Sequence, residues 1–402
     1  MAPCNGAGSP LGKLTATMRK LVYLCDWLPP DFGAVGQYLL GYAQEAARAG
    51  NDVVLIGLSA AGRTVERSAL GAGRLTVLRL HAKPYERHRF VRRTLWTLGT
   101  NSRLLWHAWD HLRGADRVLF TGSPPFLLHF LVPLNLLLRR RLVYRITDFH
   151  PECLMASLPR VPLPLRWFHR LTVCWRRRVG QFEVLGEDQR RRLHAIGIPD
   201  ERIALKRDPS PVRIPRGAQP LPIPKELDGY RLLLYSGNLG VAHDYETFAA
   251  GYRLHHRRGS GRVALWLNAT GARADALEQR VRAADLPIHR SRPVPLELLP
   301  RLLVTPRAHL ITLRDEFVGY VMPSKVYGCI ASGRDVLYVG SAASDVHLLC
   351  AQQLPPGGYH RVEVGDASGV ARALEAIADR AEAADRPAPS ASGNRHCVIC
   401  NS

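Results

Sequence analysis

A chain of 402 residues, 46% apolar and 22% charged, is globular rather than disordered and long enough for two cores. Its formal net charge of +21 requires an anionic partner or surface: nucleic acid, acidic lipid or nucleotide phosphates. No zinc-finger spacing, RNP-like aromatic motif or basic zipper accompanies that charge, and eight scattered cysteines without a secretory signal suit reduced thiols in a cytoplasm.

Residues 1–17 are rich in Gly, Pro, Ala and Thr and are expected to form a disordered leader. The first strand is expected over 21–25. It leads into a loop with two prolines, Gly33 and Gly36, then a helix over 37–49 and a second buried strand over 53–58. This is a βαβ unit, so a parallel sheet follows. The pattern continues with a strand near 75–80, an arginine-rich helix over 87–111 and a strand at 117–120. Residues 126–138 form the most apolar run. It is shorter than the roughly 20 residues a spanning helix needs, so a buried or membrane-grazing helix is expected. A strand at 142–147 follows.

Residues 152–216 are dominated by arginine, including Arg176 to Arg178 and Arg190 to Arg192, and read as amphipathic helices around a strand at 182–185. Such runs are solvated helix faces or, concentrated in one domain, contacts for phosphate or acidic lipid. Prolines between 209 and 224 mark a linker. The βα alternation then restarts, with strands at 232–235, 263–267, 309–313 and 336–339 and helices at 245–256, 274–284 and 370–384. The domains expected are a leader (1–17), an N-terminal Rossmann-like domain (18–212), a proline-rich hinge (213–228), a C-terminal Rossmann-like domain (229–386) and a flexible tail (387–402).

In doubly wound sheets ligands bind beyond the carboxyl ends of strands, and four such loops carry unusual residues. Gly33 and Gly36 permit close approach of backbone to a ligand, though a tight turn explains them nearly as well. Their spacing is not the GxGxxG of a dinucleotide site. The strand at 142–147 delivers Asp148, His150 and Glu152, a set able to bind hydroxyls or move protons, or simply to enter a helix. The strand at 232–235 delivers Gly237 and Asn238, then His243 and Asp244, of which Asp244 suits a helix cap. The fourth loop carries Arg314, Gly319, Tyr320 and Met322, then Pro323, Ser324 and Lys325 at a helix start, with Gly328 inside that helix and Gly333 at its end. A lysine in a first turn opposes the helix dipole unless an anion is bound there; a solvated surface lysine is the alternative. Cys397, Cys400 and His396 make only half a zinc site, so no metal site is expected.

The run Pro323-Ser324-Lys325, continued by Ala331-Ser332-Gly333 and an apolar strand, resembles the GT-B fold glycosyltransferases of the retaining family 4 group. The bacterial surface-polysaccharide enzymes that resemble fucosamine transferases are the nearest in pattern. Tyr235 to Gly240, Asp148 to Glu152 and the loop of Gly33 and Gly36 support the resemblance, which spans residues 18–385. It implies an α/β GT-B fold, two Rossmann-like doubly wound domains facing a central cleft. It also implies a metal-independent transferase with no cofactor, moving a sugar from a nucleotide diphosphate, UDP being the expected donor base. By the resemblance Asp148 and His150 face the transferred sugar and acceptor, and Lys325 stabilises the leaving diphosphate. Gly33, Gly36, Gly237, Asn238, His243, Gly319, Tyr320, Met322, Ser324 and Gly328 line the donor.

The implied acceptor is a saccharide or polyprenyl-linked saccharide, met in the cytoplasm or at the inner face of the cell membrane through the basic N-terminal domain. Two glutamates common in the family stand here as Tyr320 and Gly328, and its phosphate-gripping Arg and Lys as Asn238 and His243. Those departures keep a second reading open, a binding or scaffold protein whose chemistry has decayed. Specific nucleic-acid binding is not expected.

Overall fold

The structure, a computed structural model, describes residues 18–31, 34–83 and 90–385. Gly33 and the trio His396, Cys397 and Cys400 lie outside the described residues. The chain forms two compact units. One comprises Met1–Ile146 with Leu171–Glu183, the other Thr147–Arg170 with Val184–Ser402.

The first unit carries β1 (Lys20–Trp27), β2 (Asp52–Ser59), β3 (Thr64–Leu70), β4 (Gly73–His81), β5 (Arg117–Thr121), β6 (Arg141–Ile146) and β7 (Gln181–Val184), in the spatial order β3-β4-β2-β1-β5-β6-β7. Helices α1 (Ala34–Arg48), α2 (Phe90–Arg113) and α3 (Leu128–Leu138) make the crossovers. β1 pairs in parallel with both β2 and β5, so its side chains Val22, Leu24 and Cys25 are fully buried and the strand reads as one apolar run. The order reverses between β1 and β5, which makes their carboxyl ends the switch point of this sheet. β3 was not legible beforehand. It is an antiparallel edge strand on β4, exposed along nearly all its length, so no apolar alternation marks it.

Gly36 shows why this unit needs a glycine at the start of α1. A Cβ there would lie 1.9 Å from the Trp27 carbonyl oxygen. Packing of the helix on the end of β1 therefore accounts for it.

The second unit carries α4 (Glu152–Ala156), the first half of α5 (Leu163–Arg177), α6 (Glu187–Ala195), β8 (Ile203–Leu205) and a six-stranded parallel sheet. Its strands are β9 (Arg231–Asn238), β10 (Val263–Thr270), β11 (Ile288–Ser291), β12 (Ala308–Thr312), β13 (Asp335–Val339) and β14 (Tyr359–Val362), in the order β11-β10-β9-β12-β13-β14. Helices α7 (Glu246–Arg258), α8 (Ala272–Arg282), α9 (Leu299–Val304), α10 (Lys325–Ala331), α11 (Asp345–Gln353) and α12 (Ala367–Asp385) complete it. One core joins Leu233, Leu265, Leu310 and Leu337 to Phe248 and Tyr252 of α7 and Leu374 of α12. The switch point here is between β9 and β12.

The compact units do not follow the expected domain bounds. Residues 213–228 are not where the chain crosses, because Leu227 is buried with Leu232, Trp266 and Leu302, and the Leu221 amide donates to Thr305 Oγ1 at 2.9 Å. Residues 184–207 belong to the second unit for a polar reason. Asp188 Oδ2 accepts the Asp345 amide at 3.0 Å, and Arg207 grips both Asp345 carboxylate oxygens at 3.0 Å.

The arginines of α6 each have a partner within this unit. Arg190 pairs with Asp200, Arg191 donates to the Ala343 carbonyl at 2.6 Å, and Arg192 to the Val318 carbonyl at 2.8 Å. Arg176 of α5 is fully buried. Among the described residues no helix is long and apolar enough to cross a membrane.

Candidate functional site

Of the residues singled out in the sequence, Gly237, Asn238, His243 and Lys325 lie about the β9/β12 switch point of the second unit. β9 ends in Ser236, Gly237 and Asn238, and Gly237 has φ +113°, open to glycine and strained for other residues. That turn leaves room for Lys325, whose Cε would sit 3.9 Å from a Cβ at Gly237. Lys325 Nζ lies 3.4 Å from the Tyr235 ring centroid, in cation–π geometry. The Nζ atom is buried and makes no hydrogen bond. Burial lowers its pKa from the ordinary 10.5 to about 7. A buried ammonium held by a ring face alone is costly to the fold, and a solvated surface lysine is excluded.

His243 stands next to it. Its Nδ1–H donates to the Thr312 carbonyl at 2.6 Å, which fixes the tautomer because a carbonyl can only accept. Nε2 is thereby left as an acceptor. Burial first, and then the Lys325 charge, lower the His243 pKa to about 3, so the ring is neutral at physiological pH. It suits a hydroxyl rather than a phosphate. The Thr312 hydroxyl is buried without a hydrogen-bond partner. Arg273, which the sequence did not single out, donates to the His243 carbonyl at 3.3 Å and stacks over Tyr245. The exposed Asn238 accepts the Tyr235 hydroxyl on its carbonyl at 3.1 Å. Asp244 caps α7 through the Thr247 amide at 3.0 Å, as its position suggested.

The loop before α10 behaves differently from expectation. Tyr320 and Val321 already donate their amides to the Phe317 carbonyl, at 2.9 and 3.1 Å. Those two amides are therefore committed within the loop. The Tyr320 ring lies under the Arg192 guanidinium at 4.2 Å, and its carbonyl accepts the Phe149 amide at 2.9 Å. Gly319 backs onto the Asp188 carbonyl, Met322 is a core residue, and Gly328 is buried beside Leu303 and Pro211. Ser324, placed at the helix start, makes no side-chain cap and is already helical in backbone. Since α10 is under two turns long, the charge at its start comes from Lys325 rather than from a dipole. Gly333 does end the helix, with φ +66°. Arg314 is spent on Glu316 at 3.1 Å.

Asp148 belongs to this same unit, because its backbone bridges Val321 in antiparallel fashion. Its carboxyl is pushed up by burial to about 6, within reach of proton transfer near neutral pH. His150 follows it and is half-buried. Glu152 is removed from the set, since it is buried and pairs with His169 Nε2 at 3.1 Å.

The first unit has its own strand-end carboxylate, Asp26, at the β1/β5 switch point. Burial raises it to about 6 against hydrogen bonds that include Ser123, and one of its oxygens is buried without a partner. An aspartate inside an apolar strand run was the signal for it.

Comparison with known proteins bears on the fold alone. No family profile matches the chain, and a search of curated proteins finds none that matches. Solved structures do. A UDP-forming α,α-trehalose-phosphate synthase from Burkholderia vietnamiensis superposes with a TM-score of 0.58 at 15% identity, over 89% of this chain and 91% of its own. The Anabaena protein HepE in complex with UDP and glucose gives 0.59 at 11%, over 91% and 94%. The lipopolysaccharide outer core galactosyltransferase WaaB in its apo form gives 0.51 at 11%, over 90% and 91%. The chain has the GT-B fold, two Rossmann-like α/β units.

Proposed function

We propose that the chain is a glycosyltransferase that takes a sugar from a nucleoside diphosphate donor, with the diphosphate on Lys325. The observation that carries this reading is the Lys325 ammonium, buried, without a hydrogen bond, at the carboxyl-end switch point of the second sheet. A fold tolerates such a group where an anion arrives to pair with it. The diphosphate supplies that partner, and as the bond from the anomeric carbon to the leaving oxygen breaks, the growing negative charge meets a cation already desolvated and in place. His243 Nε2 and the Thr312 hydroxyl offer an acceptor and a donor for ribose or sugar hydroxyls. Asp148, with His150 beside it, is the carboxylate available to the transferred sugar or the acceptor. Gly237, Asn238 and the loop from Gly319 to Ser324 shape the donor's surroundings.

The neighbours of like fold are described as UDP-forming, UDP-bound or galactosyl-transferring, which supports UDP as the base. Retention of anomeric configuration, catalysis without a metal, and a saccharide or lipid-linked acceptor at a membrane face remain parts of the proposal that rest on the sequence resemblance.

A thermal-shift panel of UDP, GDP, ADP, TDP and CMP, with and without EDTA, tests the reading. A ligand at 100 times its dissociation constant stabilises by about 2.7 kcal/mol, readily seen. A shift selective for one diphosphate, unchanged by EDTA and lost in Lys325→Met, is the expected outcome. No shift with any nucleotide overturns it in favour of a decayed binding protein.

A further inference from the structure

A second gathering of charge lies in the first unit, at the end of its sheet opposite to Asp26. Parallel strands place all their amino ends along one edge, and here arginines occupy that edge. Arg19 precedes β1, Arg117 opens β5, Arg141 opens β6, and Arg178 precedes β7. Arg140 joins them from the turn after α3, where Arg139 is left-handed and Asn135 clamps both the Arg140 amide, at 2.9 Å, and its carbonyl, at 3.0 Å. These five side chains line a cavity of about 1110 Å³, and among the described residues Asp116 is the only acid lining it.

The acids near this edge are already engaged. Asp116 Oδ2 accepts the Lys20 amide at 2.7 Å. Glu183 is shared between Arg145 at 3.0 Å and Arg117 at 3.7 Å. The guanidinium of Arg140 is held by the carbonyls of Ala115 and Arg113. Yet the Nε atoms of Arg117 and Arg140 are both buried without a hydrogen-bond partner.

We propose that this cavity is an anion site distinct from Lys325, taking a ligand with two or more linked phosphates. Guanidinium forks match phosphate oxygens in bidentate pairs, and these five, even with Asp116 on the wall and Glu183 shared between Arg117 and Arg145, exceed the charge of a single phosphate. The volume suits an organic phosphate rather than a lone ion. Such chemistry reaches a protein as a free polyphosphate metabolite or as a lipid head group that carries two linked phosphates. The exposed Leu136 and Leu137, next to the lining residue Asn135, leave the second source open to test.

The experiment is a calorimetric titration of the full chain with tripolyphosphate, paired with co-sedimentation on cardiolipin vesicles, whose head group joins two phosphates through one glycerol. Four proteins are compared: wild type, the triple variant Arg19→Gln/Arg141→Gln/Arg178→Gln, a charge-matched control, Arg253→Gln/Arg257→Gln/Arg258→Gln, and Lys325→Met. All six arginines are exposed, so both arginine variants are expected to fold. Saturable binding that weakens about tenfold or more in the triple variant alone supports the site. If tripolyphosphate shows this, the ligand is a soluble phosphate; if only the vesicles do, it is a head group. Absence of both, or equal weakening in the control, reduces the effect to diffuse charge and overturns the proposal. Lys325→Met is expected to leave this binding unchanged, so failure of the proposed function and failure of this site are told apart.

Discussion

The two units handle positive charge in opposite ways. The second unit withdraws a single ammonium from water and sets it on an aromatic face, beside a neutral histidine. The first spreads five guanidiniums around an open cavity, most of them still in contact with solvent. A lone buried cation discriminates by geometry, because only a well-placed anion repays its desolvation. A crowd of exposed cations discriminates by total charge and is screened by salt. On this comparison the proposed chemistry falls to Lys325 and the proposed polyphosphate site to the arginine edge.

The largest effect expected is that of Lys325→Met. It should weaken diphosphate binding by about a hundredfold or more while raising the melting temperature, because an unpaired buried charge is replaced by a side chain of similar length. Calorimetry and thermal melting read the two. A lower melting temperature would mean that Lys325 supports the fold, and the contrast between the units would collapse. Salt sharpens the comparison next. Between low and physiological ionic strength, tripolyphosphate affinity at the arginine edge should fall by about tenfold, and diphosphate affinity at Lys325 by much less.

Protons give a third measure. The Lys325 pKa is about 7 in the folded chain against an ordinary 10.5, so between those values the unfolded chain binds more protons. Stability from this group therefore rises with pH across that window. A bound diphosphate returns the proton, so at pH 8 binding should take up about one proton per site, seen as a dependence of the heat on buffer ionisation. The arginine site should take up none. The smallest effect is His243→Asn, whose amide keeps the donation to Thr312 but lacks the Nε2 acceptor. It should raise KM by about tenfold with little change in melting temperature.

Much of this was legible in the sequence because buried parallel strands are written as unbroken apolar runs. The strands around Val22, Leu233 and Val336 were placed within a few residues for that reason. β3 was missed because an edge strand exposed on both faces has no such signature. β14 was missed as well, a four-residue strand with only Val362 buried. Lys325 drew attention by sitting at the wrong end of a helix, which is a local rule broken. What no local rule carries is partnership across the chain. The joining of Arg191 to Ala343 and Arg192 to Val318 could not be read from a run of like charges. Nor could the meeting of five arginines spread from 19 to 178 at one sheet edge.

The path of the chain has a further consequence for anyone who would divide or recombine it. The chain passes from one compact unit to the other after Ile146, after Arg170 and after Glu183, not at its proline-rich stretch. A chimera joined within residues 213–228 would take Asp148, the Arg192 that covers Tyr320, and the Asp188 that holds Asp345 from one parent and their partners from the other. Exchange of donor preference by swapping the second unit therefore needs its two excursions, 147–170 and 184–212, to travel with it.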